Sequence, residues 1–162
     1  MTTSIRERLD AMRAFYAEGH TREPAFRKEY LRRLQEAVKA HEQEIAEALY
    51  ADLHKSAEES YISETAIVLA EIRDQLRHLE RRARSRRVPT PLFLFPSASR
   101  IIREPQGVVL VMAPWNYPFQ LALDPLVGAL AAGNCVALKP STTSARTCRL
   151  IGNILGEIFP PD

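Results

Sequence analysis

The sequence predicts an α/β fold, in which N-terminal helices precede the first β-α-β-α half of a doubly wound, Rossmann-like parallel sheet. Two observations predict this. Residues 1 to 88 carry apolar side chains at helical spacing, whereas residues 107 to 162 alternate short apolar runs with helical segments. Residues 89 to 106 form a predicted linker with a short edge strand. The sheet is expected to be incomplete, because the sequence predicts only two of its buried strands.

The N-terminal part is predicted to hold three helices. The first spans Ile5 to Glu18, and the second is one long helix from its N-cap Thr21 to Asp52. The third begins at a capping box over residues 56 to 59, where Ser is followed by Glu three residues later. The residues predicted to form its buried stripe are spaced three or four positions apart: Ile62, Ala66, Leu69, Ile72, Leu76 and Leu79.

The linker cannot be helical, because three prolines lie between Val88 and Ser99. It also carries the apolar run Leu92 to Phe95, which needs a surface to cover it. We therefore expect an extended segment that wraps over another part of the protein. The following residues, Arg100 to Glu104, are predicted to form the edge strand.

The C-terminal part alternates strand and helix. The continuous apolar run from Val108 to Ala113 predicts a strand buried on both faces, as in a parallel sheet. Pro118 to Ala132 predicts a helix that ends at Gly133-Asn134, and Cys135 to Leu138 predicts a second buried strand. Ala145 to Phe159 is the last predicted helix, which Pro160-Pro161 would end.

Composition limits the function classes. The 162 residues suit one ordinary domain, and a net charge of +2 is too small to indicate a polyanionic partner. No apolar run reaches the roughly 18 residues of a membrane span, and the first residues lack the order of a signal peptide, so a cytoplasmic location is expected. The two cysteines and four histidines lack metal-ligand spacing, which predicts no metal site.

Six arginines lie between Arg77 and Arg87 and leave an alternative open. Such a cluster is typical of a helical module that binds nucleic acid or an acidic membrane surface. The favoured interpretation is the solvated end of a helix, where cations interact well with the helix dipole and no aromatic residues interleave.

Two polar segments follow the predicted strands, where ligands bind in open parallel sheets. Residues 113 to 118 read Ala-Pro-Trp-Asn-Tyr-Pro, and residues 139 to 142 read Lys-Pro-Ser-Thr. With Ala-Ala-Gly-Asn at residues 131 to 134, they resemble the aldehyde dehydrogenase superfamily in order and spacing. Residues 52 to 55 and Glu104-Pro105 resemble its class 3 branch more loosely. The resemblance implies NAD- or NADP-dependent oxidation of aldehydes to carboxylic acids.

The resemblance implies that Asn116 is catalytic. A fixed amide can stabilise the negative charge that develops on the former carbonyl oxygen without exchanging a proton. From the residues alone, an ordinary helix cap is the favoured interpretation of an Asn before a helix start, and the resemblance reverses it. Tyr117 and Leu121 resemble class 3 residues that face the aldehyde, with helix core as the competing interpretation.

The resemblance also implies a cofactor site. Lys139 is expected to bind the adenosine ribose, although a lysine at a strand end can simply reach solvent. Ala113, Pro114 and Trp115 are expected to line the cofactor side, with core packing as the alternative for Trp115. Many relatives carry Glu at the position of Thr142, which repels a 2′-phosphate. Ser141, Thr142 and Thr143 can instead donate hydrogen bonds to that phosphate near Lys139, so we expect NADP as well as NAD to be accepted.

Neither cysteine fits the family nucleophile. Cys135 lies in a predicted buried strand, where a thiol pKa rises, and Cys148 lies inside a helix without a nearby base. The sequence is therefore expected to stop before the catalytic cysteine, to be inactive and poorly soluble alone, and to form a homodimer when complete. A non-catalytic fragment that acts by assembling with other chains is the further alternative.

Overall fold

A computed structural model of the chain describes residues 4–159. Two predictions fall partly or wholly outside these residues: the absence of a signal peptide at the first residues, and the end of the last helix at Pro160-Pro161. In chain order the helices are α1 (Ile5–Glu18), α2 (Pro24–Ala40), α3 (Glu42–Leu53), α4 (Ala57–Ser60), α5 (Ala66–Ala83), α6 (Gln120–Ala132) and α7 (Ala145–Ile158). The strands are β1 (Arg86–Val88), β2 (Ser99–Ile101), β3 (Val108–Met112) and β4 (Cys135–Lys139). The predicted α/β class and its strand-helix-strand-helix order are confirmed.

Helix α1 has the predicted bounds because both of its ends are capped. Ser4 accepts a hydrogen bond from the Glu7 amide, and the Glu7 side chain accepts one from the Ser4 amide. Gly19 ends the helix in the left-handed region at φ 86°, as predicted for a C-terminal glycine.

The predicted long helix from residue 21 to Asp52 is wrong at His41. There the backbone leaves helical geometry, at φ −99° and ψ 16°, and the helix divides into α2 and α3. The His41 ring nitrogen Nδ1 lies 2.9 Å from the Ala37 carbonyl oxygen, one turn back. The His41 amide still donates to the same carbonyl at 3.0 Å, and the Ile45 amide donates to the His41 carbonyl at 2.9 Å, so the backbone hydrogen bonds continue across the break.

The buried stripe of the third predicted helix is confirmed at Leu69, Ile72 and Leu79 but wrong at Ile62, which is 69% exposed. Residues Tyr61–Thr65 form one turn of π-helix, which is wider than an α-helical turn. The extra residue in that turn rotates the preceding helix face, so Glu64 is buried and Ile62 is not.

Strands β1 and β2 form a separate antiparallel hairpin, with Arg87 opposite Arg100. A short edge strand was predicted over residues 100 to 104; the strand found, β2, ends at Ile101 and pairs only with β1. The prediction that the linker wraps over the protein is wrong for the described residues. Leu92, Phe93 and Phe95 are 89%, 84% and 81% exposed.

Strands β3 and β4 pair in parallel, from Val108 opposite Cys135 to Met112 opposite Lys139. Helix α6 makes the crossover between them and packs against both strands and against α5. Burial of β3 on both faces was predicted, but Leu110 and Met112 are exposed, because no element within residues 4–159 covers them.

The turn from α6 into β4 is confirmed at Gly133-Asn134. Gly133 has φ 89°, and a Cβ there would lie 2.7 Å from the Thr21 carbonyl oxygen. The Asn134 Oδ1 atom accepts a hydrogen bond from the Gly107 amide at 3.0 Å. Asn134 therefore fixes the end of α6 to the start of β3, and this sets the position of the sheet.

One hydrophobic core joins the N-terminal helices to the α/β part. Helix α2 contacts α5, α6 and α7, and α3 packs along α7. The largest fully buried apolar side chains come from both parts: Leu31, Leu34, Ile45, Leu49, Ile72, Leu79, Phe119, Leu123, Ile151 and Ile154. The helices thus form the support on which the sheet edge rests.

Candidate functional site

The two predicted polar segments meet at one edge of the parallel sheet. The register ends with Met112 opposite Lys139, and the Ala113 amide donates to the Lys139 carbonyl at 3.1 Å. Because the strands are parallel, the loops that leave them lie side by side. We name residues 113–119 the first loop and residues 139–144 the second loop.

The middle of the first loop, residues 114–117, is exposed. Ala113 is buried, whereas Pro114 and Asn116 are exposed and Trp115 is 55% exposed. The loop ends at Phe119, which is fully buried and immediately precedes α6. The Asn116 side chain is therefore presented to the outside by a loop that is fixed at both ends.

An ion pair under the first loop holds its backbone. The Lys55 ammonium contacts Glu64 Oε1 at 2.5 Å and donates to the Asn116 carbonyl at 3.2 Å. The other Glu64 oxygen accepts from the amides of Phe119, at 2.8 Å, and of Gln120, at 3.2 Å. A carboxylate at this position satisfies amides at the start of α6 and interacts well with the helix dipole.

The sequence analysis assigned Glu64 no role. Glu64 lies outside the apolar stripe if the helix is regular, and only the π-turn brings it inside. Lys55 belongs to the short segment that resembles the class 3 branch, but nothing in its spacing pointed to Asn116. A buried charge pair is therefore hard to predict from the sequence where the helical period changes.

A second carboxylate holds the start of α7. Asp52 accepts hydrogen bonds from the amides of Arg146, at 3.1 Å, and Thr147, at 2.8 Å, and from the Thr147 hydroxyl at 2.9 Å. The buried Ser144 hydroxyl donates to the Trp115 carbonyl at 3.0 Å. Ser144 therefore joins the two loops directly.

The second loop is bound more weakly over its first residues. The exposed Lys139 ammonium lies 3.5 Å from the Pro140 carbonyl, at the limit of a hydrogen bond. Ser141 Oγ accepts from the Thr143 amide at 3.2 Å, and Thr142 is exposed. The donors of this loop are thus available to a ligand.

A sequence model described as "Aldehyde dehydrogenase family" matches residues 2–162. The chain belongs to the aldehyde dehydrogenase family. It is 44% identical to aldehyde dehydrogenase family 3 member B1 of Homo sapiens over 152 residues, which are 94% of this chain and 32% of that protein. It is 37% identical to "Aldehyde dehydrogenase, dimeric NADP-preferring" of Canis lupus familiaris, over 99% of this chain and 35% of that protein.

The structure also resembles the substrate-bound Staphylococcus aureus AldH, with a TM-score of 0.95 and 41% identity. The match covers 98% of this chain and 35% of that one. The predicted resemblance to the class 3 branch is confirmed by the family 3 relative. The chain spans about a third of the length of these relatives.

In this aldehyde dehydrogenase chain, one predicted substrate residue, Tyr117, lies in the first loop, and the other, Leu121, lies just after it in α6. The Tyr117 ring, 41% exposed, has the Lys55 ammonium 4.0 Å from its centroid. Leu121 is half-buried in the first turn of α6, and its amide donates to the Tyr117 carbonyl at 2.9 Å. Tyr117 is therefore open to a ligand, while Leu121 is partly covered.

Neither cysteine belongs to the first or the second loop. Cys135 begins β4, at the end opposite Lys139, and burial raises the pKa of its thiol. Cys148 is half-buried within α7. Among residues 4–159, no group of three or more His, Cys, Asp or Glu side chains is arranged to hold a metal ion.

The arginine-rich segment is partly engaged within the protein. Arg82 pairs with Asp74 at 2.7 Å, and this hydrogen bond lowers the pKa of the Asp74 carboxyl. The Arg82 carbonyl in turn accepts from Arg103 at 2.6 Å. Within the described range, no helix is long and apolar enough to cross a membrane. Binding of nucleic acid by the remaining arginines stays an untested alternative.

Proposed function

We propose that this chain supplies the N-terminal part of an NAD- or NADP-dependent aldehyde dehydrogenase, which oxidises aldehydes to carboxylic acids. One observation supports it above the others. An exposed amide, Asn116, and an exposed ammonium, Lys139, leave adjacent parallel strands at the same sheet edge. An aldehyde and a dinucleotide can therefore meet there, as family membership leads us to expect.

In this proposal Asn116 stabilises the oxygen of the aldehyde as it becomes negative. The amide gains most from this role if it is already oriented before the charge develops, since no reorganisation is then needed. Its backbone carbonyl is held by the buried Lys55, while its side chain is exposed. The residue thus combines a fixed position with an accessible donor.

The second loop is proposed to hold the cofactor, which supplies the hydride acceptor when bound. Lys139 fits a ribose, because its ammonium is exposed and only weakly engaged by Pro140. The backbone of Ala113 and Pro114 and the exposed Trp115 ring would border the same dinucleotide. Tyr117 and Leu121 are proposed to contact the aldehyde from the start of α6.

Acceptance of NADP is the finer part of the proposal. Thr142 is exposed and uncharged, so it does not repel a 2′-phosphate, and its hydroxyl and that of Ser141 can donate to one. The relative from Canis lupus familiaris is named NADP-preferring and dimeric. A homodimer is accordingly proposed for the whole enzyme, with a cytoplasmic location as the sequence suggested.

The nucleophile is proposed to lie outside these 162 residues. The thiol of Cys135 is disfavoured as a thiolate by burial, and it begins β4 at the wrong end of the strand. The relatives are about three times as long as this chain, which leaves room for a catalytic region.

The test is a turnover assay on the full-length product of the gene that encodes this chain. Medium-chain aliphatic and aromatic aldehydes are supplied with NAD or with NADP, and the absorbance of the reduced nicotinamide is followed. We expect reduction with both cofactors. Absence of turnover with every aldehyde would refute the activity. A strong NAD preference with negligible NADP turnover would refute only the assignment of Ser141 and Thr142.

A further inference from the structure

We propose that the segment Asp52–Lys55 is a positioning element, which sets the first and second loops relative to each other. The inference rests on the proposed function, because it concerns the loops that carry Asn116 and Lys139. Asp52 and Lys55 contact neither a substrate nor a cofactor in this proposal. They act through the backbones of the residues that do.

Lys55 contacts the backbone of Asn116, the proposed catalytic residue. Its ammonium is buried and has three partners: Glu64, the Asn116 carbonyl and the Tyr117 ring. A shift of Lys55 therefore moves the backbone from which the Asn116 side chain extends. Glu64 adds a second fixed point, because it bonds the Phe119 amide at the other end of the loop.

Asp52 holds the second loop from the same short segment. Its carboxylate binds the amides of Arg146 and Thr147 and the Thr147 hydroxyl, immediately after the loop ends at Ser144. The chain turns between the two residues at His54, which has left-handed backbone geometry at φ 56°. Such geometry is uncommon for a residue other than glycine, and here it lets Asp52 and Lys55 serve different loops.

Ser144 connects the two loops. Its hydroxyl donates to the Trp115 carbonyl, next to the Asn116 peptide that Lys55 holds. The contacts therefore form a closed path from Asp52 through α7 to Ser144, across to Trp115 and Asn116, and back to Lys55. A closed path constrains the first loop and the Ser144 end of the second loop more than separate contacts would, because neither can move alone.

Stability does not explain the buried pair well. Burying a lysine and a glutamate costs solvation, and apolar residues of similar volume often serve as well or better. The positions of the contacts suggest positioning instead, since every polar contact of the Lys55 ammonium leads to the first loop or to Glu64 beneath it.

The test compares a double variant, Lys55→Met with Glu64→Gln, with a matched control, Lys39→Met with Glu36→Gln, on the exposed side of α2. Removing both charges avoids leaving one unpaired, and Gln at residue 64 retains an oxygen for the Phe119 amide. Thermal unfolding reports the fold. Tryptophan anisotropy decay in the full-length protein, with any tryptophan beyond residue 162 replaced by phenylalanine, reports the first loop, because Trp115 is the single tryptophan of residues 1–162.

We expect the double variant to fold and its Trp115 anisotropy to gain a fast component that the control lacks. In the full-length protein, kcat should fall by about 10-fold to 100-fold, because a displacement of about 1 Å has effects of that order. The KM for the cofactor should stay within about twofold. A lower melting temperature with unchanged anisotropy and unchanged kcat would overturn the inference.

Ser144→Ala covers the case in which the double variant does not fold. It removes only the hydroxyl that joins the loops, and we expect the same two readouts to change in the same direction, by less. Unchanged anisotropy and kcat in this variant would also overturn the inference. If the unsubstituted full-length protein shows no turnover, the proposed function fails, while the anisotropy of the two variants still decides whether these residues position the loop.

Discussion

The first and second loops leave neighbouring strands at the same edge, yet they are held in different ways. The first loop is bound at the carbonyls of Trp115 and Asn116 and at the Phe119 amide by buried side chains from other elements. The second loop has one internal bond, from the Thr143 amide to Ser141 Oγ, before Ser144 is reached.

The difference matches what the two chemistries require. Stabilising a developing charge depends on donors that are oriented in advance, so a loop that carries Asn116 gains from fixed contacts. A ribose can be bound by a flexible ammonium, which finds its partner by rotation of the side chain. We therefore expect substitutions in the first loop to lower kcat and substitutions in the second loop to raise the cofactor KM.

The largest effect is expected from Asn116→Ala in the full-length protein. Loss of one donor to a developing oxyanion lowers kcat by about 10²-fold to 10³-fold, while cofactor KM changes little. Steady-state kinetics with a fixed aldehyde measure this. Asn153→Ala, at an exposed position of α7, is the matched control and should keep the full rate. A decrease below fivefold for Asn116→Ala would refute its role in stabilising the oxygen, and helix capping would not account for the residue, because α6 begins after Phe119 without a side-chain cap.

A smaller effect, on KM, is expected from Lys139→Met. Loss of a hydrogen bond from a charged donor should raise the cofactor KM by about tenfold to a hundredfold and leave kcat nearly unchanged. Titration of cofactor at saturating aldehyde measures this, with the exposed Lys39→Met as control. A change confined to kcat would contradict the separation between the loops.

A moderate effect, on stability, is expected from Asp52→Ala. The substitution removes the carboxylate that caps α7, and caps of this kind contribute about 1–2 kcal/mol. Urea unfolding measures the change, and Asp10→Ala on the exposed face of α1 is the control. Equal unfolding free energies for the two variants would mean that the second loop is anchored elsewhere.

Much of the fold could be predicted because its signals are local. The runs Val108–Met112 and Cys135 to Leu138 are continuous and apolar, and Gly133 marks the turn between α6 and β4. The parallel pairing of those strands brings the positions of Asn116 and Lys139 to one edge. Their placement together therefore follows from the strand order, whereas their proposed roles remain predictions.

The support of the site could not be predicted, because it depends on contacts between distant residues. Lys55 and Asn116 are 61 positions apart, and Asp52 and Arg146 are 94 apart. Neither pair leaves a periodic signal. The π-turn at Tyr61–Thr65 further changes the buried face, which placed Ile62 wrongly and hid Glu64.

The smallest effect is expected at Asp124, a carboxylate a few residues after the first loop. Among the described residues it has no ammonium partner such as Lys55. Asp124 lies in α6, and its Oδ1 atom is buried without a hydrogen-bond partner among the described residues, while Gln120 donates to Oδ2 at 2.5 Å. Burial raises the pKa of this carboxyl. Asp124 therefore favours the folded state only when protonated, below its ordinary pKa, and that contribution is lost as pH rises through the raised value.

Asp124→Asn should consequently stabilise the protein at neutral pH, because the amide needs no charge to be desolvated. We expect a gain below about 1 kcal/mol at pH 7, which shrinks as the pH falls toward about 4. Urea unfolding across this range measures it, with the exposed Glu36→Gln as a control that should show no such trend. A variant that is less stable than the unsubstituted protein at pH 7 would mean that ionised Asp124 has a favourable partner. In that case Asp124 would resemble Glu64, whose negative charge is paired with Lys55.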